Sequence, residues 1–299
     1  MPSAPSKLYS DDVSLLVVTL DTNPFFWSTF SFPFSEFLSH VLAFLNSILL
    51  LSQLNQVVVI ATGCNSCTYL YDSSSDKSHG STSGSMPSLY SDLLHNLEVF
   101  LARDQQLAKP WGNAAAGGGG APPSSLLSGS LSMALCYIQR AFRSGPIHPQ
   151  PRILCLQGSA DGPEQYVAIM NSIFSAQHST VPIDSCYIGS NNSAFLQQAS
   201  YITGGIYYRP PHLDGLFQYF STVFATDLHS RAFLRLPKSV GVDFRASCFC
   251  HKQTIDMGYV CSVCLSIFCE HHDKCSTCGS VFGQSQSNVA SSTNRKRKA

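Results

Sequence analysis

Charge is what this sequence has least of. Asp, Glu, Lys and Arg make up 12% of its 299 residues, where a soluble domain ordinarily carries about 25%. Lys plus Arg and Asp plus Glu number 18 each, and four of the basic residues, Arg295, Lys296, Arg297 and Lys298, stand together. Setting those four aside leaves 14 basic against 18 acidic residues. The body therefore lacks the clustered positive charge that a generic nucleic-acid binder needs. Long apolar runs are missing too. The longest, 37–51, is interrupted by His40 and Asn46 and falls short of the roughly 20 residues that cross a bilayer, so it is expected to be a buried helix. Residues 1–12 are polar and Asp21 closes the first apolar run, which is not the pattern of an export signal. No phosphate loop, G-x-S-x-G elbow or kinase signature is present, so nothing points to ATP hydrolysis or acyl transfer.

What is present can build a core. Apolar residues make up 44%, with 19 Phe and 12 Tyr, which excludes wholesale disorder. Runs of strand length (13–20, 57–62, 68–71, 153–156, 183–188 and 206–208) alternate with helical stretches (35–53, 89–108, 126–142, 163–177, 193–201 and 212–225). That alternation predicts an α/β domain with a mostly parallel sheet covered by helices, spanning 10–228. A serine-rich tract at 73–90 and a glycine-rich tract at 111–124 are expected to be flexible insertions, 229–247 a linker, and 281–299 a disordered basic tail.

Seven of the 12 cysteines crowd into a second module, 248–280. Cys261-x2-Cys264 and Cys275-x2-Cys278 each put two thiolates on one turn, and two such knuckles complete the tetrahedral sulfur shell that Zn²⁺ accepts. The segment is too small for a self-sufficient core, so metal would supply its folding free energy. Cys248, Cys250 and Cys269 are left over. With a fourth ligand from His251, His271 or His272 they would hold a second zinc, interleaved as in a RING; otherwise one four-cysteine finger remains. With its thiolates committed, the metal reads as structural. Cysteine at metal spacing, rather than in a secreted disulfide framework, also points to a reducing, intracellular compartment.

Three strings carry a family resemblance: VVTLDTNP (17–24), QQASYITGGIYYRP (197–210) and GVDFRASCFCHKQTIDMGYVCSVCLSIFCEHHDKCSTC (241–278). The first two look like a von Willebrand factor A (vWA) domain. With the third, the chain resembles the smaller vWA-containing subunits of the general transcription factor TFIIH, over residues 10–280. The resemblance implies a non-enzymatic subunit of the nuclear TFIIH core, acting in initiation by RNA polymerase II and in nucleotide excision repair. Its implied partners are the larger vWA and zinc-finger subunit and, through it, the helicases. DNA would be touched only indirectly, with no membrane and no small-molecule substrate.

Many vWA domains capture ligands through Mg²⁺ held by D-x-S-x-S. Here the string is Asp21-Thr22-Asn23-Pro24-Phe25, and Gln157-Gly158-Ser159, with Asp161 near by, replaces the usual Asp-Gly after a later strand. Asn23 is a poor substitute and Phe25 offers no oxygen to a hard cation, so Asp21 is expected to brace a turn or cap a helix. Phe25, Phe26 and Trp27 read either as a partner contact or as a packed loop. Cys64-x2-Cys67 reads as a redox pair or as two reduced thiols, and Cys136, Cys155 and Cys186 as core residues. The Arg295–Lys298 tract has the character of a nuclear-import signal or a solvated tail. Two other function classes fit single features: a RING-type ubiquitin ligase and a Mg²⁺-dependent vWA ligand-binding protein.

Overall fold

The computed structural model describes residues 9–74, 89–115, 124–142, 148–237, 242, 248–251 and 255–282. The chain divides into two compact units, Met1–Asp243 and Phe244–Ala299.

In the first unit β1 (Tyr9–Asp21) leads through α1 (Pro24–Thr29) and α2 (Phe34–Leu51) to β2 (Gln56–Thr62) and β3 (Cys67–Asp72). Then come α3 (Leu89–Ala115), α4 (Leu127–Ala141), β4 (His148–Gln157), a 3₁₀ turn (Pro163–Gln165), α5 (Tyr166–His178), β5 (Ile183–Tyr187), α6 (Ala194–Thr203), β6 (Tyr207–Tyr208) and α7 (Leu216–Tyr219). The six strands lie in the order β3-β2-β1-β4-β5-β6, with β3 antiparallel to β2 and the other pairs parallel. This is the mostly parallel α/β sheet that the alternation of runs predicts.

Strand geometry turns successive side chains to opposite faces, and here both faces are dry. Leu16, Val18 and Leu20 of β1 join Val57, Val59 and Ala61 of β2 in a core beneath α2, α3 and α7. Leu15 and Val17 join Val58, Ile60, Ile153 and Cys155 beneath α4, α5 and α6. Two-sided burial explains why these strands are near-continuous apolar runs. Helix α2 is 18 residues long and apolar enough, by length and composition, to span a membrane. Its Phe37, Val41, Phe44, Leu45 and Ile48 are buried in the first core, which accounts for its apolarity.

The structure departs from expectation at several places. Phe25, Phe26 and Trp27, read as a partner contact or a packed loop, lie in the helix Pro24–Thr29: the Asn23 side chain accepts the Phe25 N–H as N-cap and Pro24 supplies a preset φ in the first turn. Helix α3 continues to Ala115, into the tract 111–124 expected as an insertion, where Ala114 and Ala115 favour helix; 116–123 lie outside the described residues, as do 75–88. The closing helix is shorter than 212–225 and ends in a π turn, Phe220–Phe224. Cys136 is exposed, because Leu135 and Tyr137 on either side of it take the buried face of α4. Gly204 takes φ +73° as the left-handed end of α6, a conformation that glycine adopts without strain.

Part of the segment 229–247, expected as a linker, belongs to the fold. Arg231, in a 3₁₀ turn over Ser230–Phe233, holds buried Asp184 with two bonds, 2.9 and 2.6 Å, and Leu236 packs on the first core. Beside this pair lies Arg152, a charged side chain only 1% exposed. It donates to the Phe224 and Thr226 carbonyls at 2.6 and 2.7 Å, where a helix end has unpaired acceptors. Burial lowers its pKa to about 10. Arg152→Ala is expected to cost roughly 3 kcal/mol in urea unfolding; a loss under about 1 kcal/mol would mean that water replaces the guanidinium at those carbonyls.

Candidate functional site: a rebuilt strand-end crevice and two sulfur clusters

In an open α/β sheet, ligands bind at the carboxyl ends of the strands where the order reverses. Here that point lies between β1 and β4, and it holds Asp21, Asn23, Gly158 and Ser159. Asp21 is fully buried. Its Oδ2 accepts the Gly158 and Ser159 N–H groups at 3.0 and 2.7 Å, and its Oδ1 accepts the Asn23 N–H at 3.1 Å. Burial raises its pKa, opposed by these hydrogen bonds. Asn23 donates Nδ2–H to Ser159 Oγ at 3.0 Å, while its Oδ1 accepts from Phe25 N–H at 3.0 Å and from the Cys64 thiol at 3.1 Å. The structure thus gives Asp21 the turn and Asn23 the cap.

The crevice is also covered. A Cβ added to Gly158 would run into the Phe26 ring. Phe26 and Trp27 pack edge to face at 5.1 Å, and Trp27 lies 4.9 Å from the rings of both Phe34 and Phe37. Trp27 Nε1–H donates to the Asp21 carbonyl at 2.9 Å. Asp161 is turned away to α6, where it accepts from Ser193 Oγ at 2.5 Å and from Phe195 N–H at 3.2 Å. The oxygens that would face a cation are engaged by the protein's own donors.

Sequence reasoning missed Asp104. This buried carboxylate of α3 accepts the Cys64 and Asn65 N–H groups at 3.2 and 3.3 Å and Ser66 Oγ at 2.9 Å. Nothing in the local sequence marks it, since it acts across about forty residues. Burial pushes both Cys64 and Cys67 up to about 12, the reverse of the depressed pKa that a redox pair needs.

In the second unit the sulfurs gather into two groups. Cys261, Cys264, Cys275 and Cys278 form one, and Cys248, Cys250, His251 and Cys269 the other; within each, all ligand atoms lie within 4.8 Å of one another. Cys261 and Cys278 Sγ are 3.6 Å apart and Cys264 and Cys275 Sγ 3.5 Å. A tetrahedral shell with metal–sulfur bonds of about 2.3 Å sets sulfurs about 3.8 Å apart, so the donors fit such an ion. In the other group Cys269 Sγ lies 3.4 Å from Cys250 Sγ and 3.2 Å from His251 Nδ1. Both groups could hold a metal ion, and they interleave, because Cys269 falls between the two knuckles of its neighbour. His271 and His272 are elsewhere: His271 meets Tyr259 edge-on at 5.4 Å and His272 meets Phe268 at 5.3 Å.

The two knuckles share a geometry that the cysteine spacing alone does not reveal. In each, the residue after the second cysteine, Leu265 or Gly279, has positive φ, 60° and 74°, and donates its N–H to the first cysteine's carbonyl at 2.9 and 2.8 Å. The following serine carbonyl, Ser266 or Ser280, accepts the first cysteine's N–H at 2.9 and 2.8 Å. The signal was legible as a repeat, Cys-Ser-Val-Cys-Leu-Ser against Cys-Ser-Thr-Cys-Gly-Ser. Hydrogen bonding, led by the Ser280 hydroxyl, lowers Cys261 to about 6 and draws Cys278 down, whereas desolvation lifts Cys264 to about 11 and Cys250 lifts Cys269 to about 11. Arg295, Lys296, Arg297 and Lys298 lie outside the described residues.

These features define a class: a vWA-like α/β domain with a rebuilt strand-end crevice, followed by a cysteine-rich module suited to metal. The profile of one family, transcription factor Tfb4, matches residues 13–279. The chain belongs to the Tfb4 family. It is 69% identical to "General transcription and DNA repair factor IIH subunit TFB4" of Arabidopsis thaliana, over all of this chain and 99% of that protein. It is 40% identical to "General transcription factor IIH subunit 3" of Dictyostelium discoideum, over 83% of this chain and 68% of that protein. Among solved structures it is similar to the TFIIH p34 N-terminal domain, with a TM-score of 0.56 and 27% identity, over 71% of this chain and 98% of that one.

Asp21→Ala is expected to leave three backbone N–H groups unpaired and to cost roughly 3 kcal/mol, while millimolar Mg²⁺ leaves the wild-type melting temperature unchanged. A Mg²⁺-dependent rise in that temperature, absent from Asp21→Ala, would instead make the crevice a metal centre.

Proposed function

We propose that this protein is a structural subunit of TFIIH that acts in RNA polymerase II transcription initiation and nucleotide excision repair. The observation that carries the reading is the full-length, 69% identity to a TFIIH subunit, "General transcription and DNA repair factor IIH subunit TFB4". In this reading the protein is nuclear, its tail residues Arg295–Lys298 serve import, and it performs no catalysis. Its direct partner is the larger vWA and zinc-finger subunit, through which the helicases are held; DNA is contacted only indirectly. The strand-end crevice supports a scaffold role, since its polar atoms are engaged internally and an aromatic lid covers it. The cysteine module holds two Zn²⁺ ions, one on Cys261, Cys264, Cys275 and Cys278, the other on Cys248, Cys250, His251 and Cys269. Zinc supplies cross-linking here, standing in for the hydrophobic core that so short a segment cannot build.

Elemental analysis of the purified full chain should find two equivalents of zinc, with Cys261→Ala and Cys269→Ala each losing one. A single equivalent, unaffected by Cys269→Ala, would reduce the module to one finger. In cells, deleting 248–280 should weaken recovery of the larger vWA subunit in a pull-down; recovery of the whole complex in unchanged yield would remove the module from assembly. Ubiquitin discharge by the purified chain across a panel of conjugating enzymes would favour a RING ligase instead.

A further inference from the structure

The two sulfur groups differ in exposure: the four-cysteine group has two buried members, the other has one. Ser266, only 2% exposed, has its hydroxyl 3.1 Å from Cys264 Sγ. A buried hydroxyl left without a partner is destabilising, and the Cys264 sulfur is the partner within reach of this one. Ser280, at the equivalent position of the other knuckle, has its hydroxyl 3.0 Å from Cys278 Sγ and 3.1 Å from Cys261 Sγ. Three of the four sulfurs thus have a side-chain hydroxyl within reach, and the same two serines close the knuckles through their carbonyls. In the other group, Cys250 and His251 are exposed, and the contacts of Cys269 with Cys250 and His251 run within the group itself.

Building on the two-zinc reading, we propose that Ser266 and Ser280 are positioning residues of the four-cysteine site, donating O–H to its thiolates so that this site retains its metal more tightly than the Cys248, Cys250, His251, Cys269 site. Four thiolates around one Zn²⁺ leave a surplus of negative charge on sulfur. An O–H donor disperses that charge, fixes the direction of the sulfur lone pairs and slows their exchange for outside ligands. The Cys-Ser-x-Cys-x-Ser repeat is then a metal motif of six positions rather than four, and the chain carries one durable and one exchangeable site.

The test uses full-length, zinc-loaded protein and a chromophoric chelator. Release should occur in two phases of equal amplitude, with the fast phase missing from His251→Ala. Ser280→Ala should speed the slow phase roughly tenfold to a hundredfold, Ser266→Ala should do likewise, and Ser280→Thr, which keeps the hydroxyl at a half-exposed position, should restore the wild-type rate. With Co²⁺ in place of Zn²⁺, the sulfur-to-metal charge-transfer band should move to lower energy in Ser280→Ala and return in Ser280→Thr; simple loosening of the fold would not be reversed in this way. Two bound equivalents with an unchanged slow phase and an unmoved cobalt band in both alanine variants would overturn the proposal. A zinc content of one equivalent would instead remove the two-ion reading, leaving the cobalt band of the four-cysteine site to decide the role of the serines.

Discussion

Burial of both faces of the central strands is the constraint on which the first unit depends. Once β1, β2 and β4 are covered by helices on each side, water cannot reach their backbone, and the polar groups at the strand ends must find partners inside the protein. Asp21 does this at one end by accepting three N–H groups from two chain segments. Arg152 does it elsewhere, by donating to carbonyls at the end of the last helical segment, next to the Asp184–Arg231 pair. Asp21, Asp104, Arg152 and Asp184 are all buried, so several of the chain's few charges serve as internal braces rather than on the surface.

The same constraint accounts for what became of the strand-end crevice. A position that in related folds takes an external ligand is here closed by its own residues. Asn23 replaces a hydroxyl and caps α1; α1 then carries Phe26 over Gly158 and Trp27 into an aromatic group with Phe34 and Phe37. Phe25, with no oxygen to offer, begins that helix. The Asp21 and Asn23 oxygens that a cation would need are spent on the strand-to-helix connection instead.

The second unit follows a different physical logic. Among its described residues the buried cluster consists of Cys261, Cys275 and Phe268, with a few partly buried neighbours, far too little apolar surface to hold a chain together. Its order comes from two knuckles with matched backbone geometry and from sulfurs brought to metal-shell spacing. Stability in the first unit is thus a matter of area removed from water, whereas the second has little such area and two sulfur groups that could hold metal.

The sequence by itself determined the class of fold, the six strands, the α2 helix and the seven clustered cysteines, because strand-length apolar runs and cysteine spacing are local signals whose meaning does not depend on distant residues. It also carried the family, through strings too long to recur by chance. Only the tertiary structure decided that His251, and not His271 or His272, joins Cys248, Cys250 and Cys269, since all three lie close to cysteines in the chain and only folding orients their rings. Asp104, Arg152 and the Arg231–Asp184 pair were equally invisible: each acts on groups some forty to seventy positions away. The helix over 24–29 needed Asn23 to be held by Ser159 before its capping role had meaning. Patterns repeated along the chain can be read from the chain, whereas a polar group's partner is chosen by which strands and loops happen to be neighbours in space, and that is settled only when the sheet has formed.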